Sequence, residues 1–466
     1  MSGLLLLSLF LSPLSRALEF DTYFNQVKEY DPGLKASEAL RESVVLTQSA
    51  ADQLTDLHLF SQINSVDDRR PTANPSFQGG RTRFDSWSLG IRQQTSFGLS
   101  WTLSQNLQTT RIFDAASLGV PVPEYSDSYP RLELGIPLWR NFWGSETREI
   151  QEQAVQSSKA QKIEADISYI QKIIEIEGAF DRLATYQETF EFQKESLERA
   201  RKILAWSRSR LQRGLADEAE VYGAQAALAA RELELIQGRE NLAEAMRIFN
   251  RFRGHPEDSD PGRLKPRKLD LSQLVLHPSE GKKRLDFLAQ NQSASVREAA
   301  SRASKQSNLP KLDLGLILQS QSRSAPDAPE PIRAYWERNK DYFAINLKFS
   351  MPLDQFKTEK IRNGYEFASK AASLTKRDLE NRANQTWSQT VSTGRQLYEQ
   401  LKIVEDLEKI QKLKADHERD RYSRGRSTGF QVLSYEQDYL NSKNQKLQLE
   451  LQARNFISSL RLFVSE

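Results

Sequence analysis

Hydrophobic and polar residues alternate with a period of two in several short segments of the chain. The clearest segments are Leu132 to Leu138 and Phe343 to Leu353. Weaker ones lie near Leu57–Leu59, at Leu312–Leu318, and between Ser86 and Arg111 as two strands around a turn at Thr95–Gly98. Such alternation predicts strands with one apolar and one polar face. A soluble sandwich and a membrane barrel share this pattern, so periodicity alone leaves both open.

Two long segments of the chain have a helical period instead of the alternation of strands. Proline is absent from Asn141 to His255 and from Leu353 to Glu466, where Glu, Lys, Gln, Ala and Leu dominate. Within the first segment, four isoleucines from Ile163 to Ile174 follow 4-3-4 spacing. This spacing predicts long helices packed lengthwise on one another. Taken alone, these segments are equally typical of a rod-like coiled coil.

An internal repeat relates these two segments. Arg208, Arg210, Arg213, Gly214 and Val221 recur at an offset of 211 residues. The recurring residues are Arg419, Arg421, Arg424, Gly425 and Val432. A chance match of this length is improbable, so the chain is predicted to consist of two similar halves.

The predicted organisation follows from the repeat. Residues 1–17 are predicted to be a signal peptide, because Leu4 to Leu14 form a short apolar core and Ser15 and Ala17 fit a cleavage site. The first repeat, 18–253, is predicted to contain a helix, strands at about 56–139 and a helical hairpin at 145–253. A linker, 254–283, follows it. The second repeat, 284–466, is predicted to contain a helix, strands at about 310–353 and a hairpin at 354–466.

Composition excludes several classes of chemistry. The chain has no cysteine and four histidines, and its net charge is +3. His58, His255, His277 and His417 have no second histidine at ligand spacing, so we expect no metal site and no catalytic residue. Nor do we expect a cofactor, an enzymatic activity or nucleic-acid binding.

The sequence resembles the TolC-like family of outer-membrane efflux proteins over essentially the whole mature chain. The resemblance rests on the strand-to-helix junctions Ile136-Pro137-Leu138-Trp139 and Met351-Pro352-Leu353, on the glycine break in each long hairpin, and on the duplication. It implies a mixed α and β membrane protein of two structural repeats. Three copies would share one outer-membrane β-barrel, with four to six strands from each protomer, continued by a long periplasmic α-helical barrel.

The resemblance also implies a function and partners. The protein would be the passive exit duct of a tripartite efflux pump or type I secretion system in a Gram-negative bacterium. Its partners would be a periplasmic adaptor protein, an inner-membrane pump and the lipid of the outer membrane. A homotrimer also makes physical sense, because a half-dozen strands cannot close around a water-filled lumen and an open sheet edge is untenable in lipid. The alternative is a secreted or periplasmic coiled-coil scaffold without channel activity.

Candidate site residues lie around the two glycine breaks. We expect Arg213, Gly214, Arg424 and Gly425 to dock the adaptor, because arginine donors and an open glycine backbone suit a partner's carbonyls and carboxylates. Gating is expected from Arg421 and from Tyr422, which fits the family's gating tyrosine. The carboxylates would come from Asp217, Glu218 and Glu220, because the family's two entrance aspartates are replaced by Gln431 and Ser434.

The strand pattern gives one further expectation. We expect Leu132, Leu134, Ile136, Phe343, Ile345 and Leu347 to face lipid. Glu133, Asn346 and Lys348 should then face the lumen, because a charge on the lipid side costs roughly 2 to 4 kcal/mol near the midplane.

Overall fold

A computed structural model describes residues 17–71, 73, 79–114, 124–324 and 341–464. The predicted signal peptide, except Ala17, lies outside the described residues. The longer helices are α1 (Phe20–Tyr30), α2 (Pro32–Thr47), α3 (Ser145–Gln212), α4 (Glu218–Phe252), α5 (Leu285–Ser307), α6 (Gln355–Ser423) and α7 (Gly429–Ser459). Short 3-10 helices occupy Gln48–Thr55, Phe142–Gly144, Leu271–Leu274, Pro278–Glu280 and Leu460–Leu462.

The strands form one large antiparallel sheet and one short pairing. They are β1 (His58–Asp68), β2 (Arg81–Gln94), β3 (Ser100–Phe113), β4 (Glu124–Pro137), β5 (Lys283–Arg284), β6 (Lys311–Ser320), β7 (Ser322–Ser324), β8 (Asp341–Ser350) and β9 (Phe463–Val464). The large sheet has the order β1-β2-β3-β4-β6-β8, and β7 pairs with β4 just beyond β6. The hairpin β2–β3, which sequence alone could not place, is therefore part of this sheet.

The register separates apolar from polar side chains. Leu134 pairs with both Trp101 and Leu316, and Leu316 pairs with Ile345, so these residues share one face. All six residues expected to face lipid lie on this face, with Leu59, Leu89 and Leu103. Glu133, Asn346 and Lys348 lie on the opposite face, with Ser104, Gln108 and Asp313.

The two edges of the sheet are open in a single chain. β1 pairs with β2 and β8 pairs with β6, and neither edge strand has a second partner among the described residues. Because six strands alternate in direction, the two edges run antiparallel to each other. One copy's β8 can therefore join a second copy's β1 in an antiparallel ladder.

The chain divides into two compact units. Among the described residues, the sheet unit consists of those within Val45–Gln161 and Gln290–Asp378, and the helical unit of those within Met1–Val44, Lys162–Ala289 and Leu379–Glu466. One core of the helical unit lies where α1 packs on α3 and α4, and there the ring of Tyr23 stacks on that of Phe249 at 4.2 Å.

The predicted linker carries a buried ion-pair cluster of the helical unit. Arg267 donates through Nε to Asp181 at 3.0 Å, and its Nη1 lies 3.1 Å from a carboxylate oxygen of Glu177. Arg461 reaches the other oxygen of Glu177 at 2.8 Å. Both carboxylates are almost completely buried, so the arginines compensate charges that would otherwise be costly in the interior.

Candidate functional site

The turns of the two helical hairpins have the same backbone geometry. In the first hairpin, α3–α4, Gly214 has φ +72° and its N–H donates to Leu211 at 2.9 Å, while Leu215 N–H donates to Arg210 at 2.9 Å. In the second, α6–α7, Gly425 has φ +77° and donates to Tyr422 at 3.0 Å, while Arg426 donates to Arg421 at 2.8 Å. Each pair of bonds is a Schellman motif, which places the glycine in the left-handed conformation that other residues adopt at a cost.

Side chains fix both turns in the same way. The Arg210 guanidinium donates to the carbonyl of Leu215 at 3.2 Å, and Arg421 donates to the carbonyl of Arg426 at 3.2 Å. The next helix is then capped, because Asp217 accepts from Glu220 N–H at 2.9 Å and Thr428 accepts from Gln431 N–H at 3.4 Å. The repeated arginines and glycines thus have a structural role in each turn.

The four expected docking residues lie on the exposed surface of these turns. Arg213 donates to the carbonyl of Ser209 at 3.1 Å, and Arg424 pairs with Asp420 at 2.8 Å. Among the described residues other than Gly214 and its two chain neighbours, no heavy atom lies within 4 Å of a Cβ added to Gly214. The space beside the first turn is therefore open.

Tyr422 joins the second hairpin to the first. Its side chain is completely buried, and its hydroxyl donates to Glu220 Oε1 at 2.6 Å and lies 2.7 Å from Ser207 Oγ. Arg210 completes the cluster, with Nε at 3.4 Å from Glu220 and the guanidinium 5.0 Å from the centre of the Tyr422 ring. We call Ser207, Arg210, Glu220 and Tyr422 the tyrosine latch.

The surroundings of Tyr422 keep its hydroxyl protonated. Burial, reinforced by the hydrogen bond to Glu220, raises the pKa of Tyr422 to about 12. The hydroxyl therefore remains a proton donor at about pH 10, where a free tyrosine begins to ionise.

The remaining expected gating residues have other contacts in this chain. Arg421 pairs with the buried Glu418 of its own helix at 3.2 Å, and Asp217 caps α4. Glu218 accepts a hydrogen bond from Tyr222 at 3.2 Å. Among the gating candidates, the described part of one chain thus brings together Tyr422 and Glu220.

Ser207 and Gly429 were not identified from the sequence. The internal repeat does not point to Ser207, because the equivalent position in the second half holds Glu418. Gly429 leaves room for the latch, because a Cβ there would lie 2.4 Å from Glu220 Cγ. The internal repeat did point to Arg210, since this residue recurs as Arg421.

The described residues contain neither a metal-binding cluster nor a membrane-spanning helix. No group of three or more His, Asp or Glu side chains in them is placed to hold a metal ion. Among the described helices, none is both long and apolar enough to cross a membrane.

Known structures share this fold, although no protein-family model and no curated protein matches the sequence. The outer membrane protein VceC from Vibrio cholerae is 15% identical, with 95% of each chain covered and a TM-score of 0.62. The outer membrane channel CmeC from Campylobacter jejuni is 12% identical, with 95% of this chain and 84% of that chain covered and a TM-score of 0.60.

A third similar structure is the open state of the MtrE outer membrane channel from Neisseria gonorrhoeae. It is 13% identical, with 94% of this chain and 87% of that chain covered and a TM-score of 0.59. The chain therefore has the fold of the TolC-like outer-membrane efflux channels, which confirms the resemblance predicted from its sequence.

Proposed function

We propose that this protein is a trimeric outer-membrane channel that serves as a passive exit duct. The carrying observation is the large sheet, with an apolar face, a polar face and two open edges that run antiparallel. In lipid each open edge would leave backbone groups without hydrogen bonds, so the sheet must close with other copies into a barrel. The resemblance implies three copies.

The apolar face forms a continuous band along the strands. Leu312, Leu314, Leu316 and Leu318 follow one another on β6, which at about 3.3 Å per residue is about 20 Å along the strand, or about 15 Å along the membrane normal at a strand tilt of about 40°. Outer-membrane barrels carry such a band around the outside and polar side chains around a water-filled interior. The polar face, with Glu133, Asn346 and Lys348, would line that interior.

The helical hairpins would supply the periplasmic part and its partners. In this proposal the turns of the two hairpins bind a periplasmic adaptor. The adaptor joins the channel to an inner-membrane pump of an efflux or type I secretion system. Arg213, Gly214, Arg424 and Gly425 would form the docking surface, since they are exposed and the space beside the first turn is open.

Docking can be tested without distorting the turns. Asparagine tolerates the left-handed conformation better than other side chains do, so Gly214→Asn with Gly425→Asn adds bulk at small backbone cost. We expect loss of chemical cross-linking to the adaptor and loss of efflux, with the trimer intact. Gly364→Asn, an exposed glycine within α6, is the control. Wild-type cross-linking in the double variant would place docking elsewhere.

The tyrosine latch would close the resting channel. It is one of the contacts through which a buried side chain of the second hairpin packs on the first, and it lies next to the hairpin turns. Opening would require the two hairpins to separate there. Tyr422 and Glu220 are therefore the proposed gating pair, while Arg421, Asp217 and Glu218 would support the turn and cap.

The competing function is a coiled-coil scaffold in the periplasm or outside the cell. The helices fit it, but an open sheet with an exposed apolar face does not, because such a face attracts other proteins or aggregates in water. Membrane fractionation followed by electrophoresis without heating separates the two. We expect a detergent-stable trimer in the outer membrane, whereas a soluble monomer would favour the scaffold.

A further inference from the structure

A cavity of about 290 Å³ lies between three helices of the helical unit. Its walls come from α3 and α4 of the first hairpin and from α7 of the second. Gly238 and Leu447 in these walls are buried, whereas Asn241 and Gln448 are exposed, so the cavity is open to solvent on one side. The volume is near the lower end of the range for small-molecule sites, about 300–1,000 Å³. Of the described residues, no charged one lines it, although 27% of the chain is charged.

Three buried polar atoms of this cavity lack a hydrogen-bond partner within the part of the chain that the structure describes. They are Thr185 Oγ1, Gln193 Oε1 and Asn444 Oδ1. Thr185 as a whole is only 6% exposed. Buried polar groups are normally paired, and an unpaired one lowers the stability of the fold. Three such atoms in one uncharged cavity indicate a site for a ligand that forms hydrogen bonds.

Gly238 makes room for one of these side chains. It lies inside α4 and does not have a positive φ, so alanine could adopt its backbone conformation. A glycine inside a helix is less stable than alanine. A Cβ at this position would collide with Oε1 of Gln193. The glycine therefore lowers helix stability but keeps space for the Gln193 carboxamide in the cavity wall.

The lining indicates the chemistry of the ligand. A carboxamide can form two hydrogen bonds with a ring edge that carries a donor beside an acceptor, and Gln193 and Asn444 each provide a carboxamide. Tyr186 and Phe190 provide aromatic rings on which a flat ring can stack. A charged ligand is disfavoured, because no ionised side chain in the lining would compensate its charge.

We infer that this cavity binds a small, uncharged aromatic heterocycle with an N–H donor next to an acceptor on its edge. The bound ring would contact α3, α4 and α7 together. It would thus tie the second hairpin to the first, as the tyrosine latch does nearer to the turns. This site goes beyond the proposed function, because it lies within one chain and requires neither a second copy nor a membrane.

Isothermal titration calorimetry of the purified full-length protein in detergent tests the site. Quinazolin-4-one is a suitable ligand, since its uncharged bicyclic ring has an N–H next to a carbonyl. We expect saturable binding with one site per chain. 3-Methylquinazolin-4-one should bind about tenfold more weakly, because a methyl group replaces the hydrogen of the donor. Equal affinities for the two compounds, or no saturable binding of quinazolin-4-one, would contradict the inference.

Substitutions show whether the ring binds in this cavity. Gln193→Leu and Asn444→Leu replace unpaired carboxamides with apolar groups of similar size, so each should weaken binding about tenfold without lowering the unfolding temperature. Gly238→Ala should weaken binding too, because its Cβ displaces Gln193. Gly178→Ala, at a glycine inside α3 where a Cβ has room, is the matched control and should bind as the wild type does. Wild-type affinity in both carboxamide variants would place the bound ring elsewhere and overturn the assigned site.

Discussion

The hydrogen bond from the Tyr422 hydroxyl to Glu220 is a contact of the tyrosine latch that a conservative substitution can remove. A hydrogen bond to a charged group contributes about 1.5–3 kcal/mol, and Tyr422→Phe with Glu220→Gln removes the hydroxyl donor and the charge of its acceptor. We expect higher single-channel conductance in planar bilayers, because the hairpin turns separate more easily. Arg424→Ser, which breaks an exposed pair with Asp420, should leave conductance near wild type. Unchanged conductance in the double variant, with trimer intact, would place the constriction elsewhere.

Ionisation of the same hydroxyl should make the channel conductance depend on pH. Its pKa is raised to about 12 from an ordinary value of about 10, so the stabilisation it provides is present below about pH 10 and is lost as pH rises toward 12. We expect conductance to rise over this interval in the wild type. Tyr422→Phe should remove this step, and an identical alkaline rise in that variant would assign it to another group.

Arg267 is expected to matter for stability. It neutralises Asp181 and Glu177, both buried in the helical unit, and removing one partner of a buried ion pair costs about 3–5 kcal/mol. Arg267→Ala should lower the thermal unfolding temperature of the purified protein by several degrees. Lys268→Ala, at an exposed neighbouring position, is the control. Equal unfolding temperatures for the two variants would mean that the cluster contributes little.

At the residue scale the sequence offered Tyr422 and nearby carboxylates as gating candidates, but it did not predict the hydrogen bonds that they make. It predicted Tyr422 and offered three carboxylates, and the choice among them depends on where α4 begins. Because Asp217 takes the N-cap position, Glu220 falls at the third helical position and reaches Tyr422. Ser207 could not be predicted, since its contact with Tyr422 joins residues 215 positions apart.

At the scale of single elements, the two glycine turns should respond alike to substitution. Gly214→Ala and Gly425→Ala each place a Cβ on a residue with positive φ, at a cost of about 1–2 kcal/mol. Gly364→Ala, inside α6 with open space around it, should stabilise the helix by about 0.5–1 kcal/mol. Thermal unfolding followed by circular dichroism should therefore show opposite shifts. A shift of the same sign in all three variants would contradict the assigned turn geometry.

Strands and helices were largely predictable because their periods differ. The pattern located β4, β6, β8 and both long hairpins, and it indicated β2 and β3 around the turn at Thr95–Gly98. Membership in one sheet was not predictable, because it depends on pairings such as Leu89 with Gln105 that local sequence does not encode. The weak pattern at Leu57–Leu59 likewise understated β1, which runs to Asp68.

For the whole molecule, the number of strands sets the width of the proposed barrel. Because β7 pairs with β4 in line with β6, the sheet is six strands wide, and three copies give a barrel of eighteen strands. With strands about 4.8 Å apart and tilted about 40°, the backbone diameter would be about 36 Å. An even number of strands also lets every neighbouring pair be antiparallel, including the pairs between copies.

Electron cryomicroscopy of the full-length protein in lipid nanodiscs tests the central claim most directly, because it counts copies and strands in one image. The account predicts three copies and an eighteen-stranded barrel, with β8 of each copy beside β1 of the next and Leu134 facing lipid. A monomer, a sheet outside the lipid, or a barrel that leaves out β1 and β2 would contradict it.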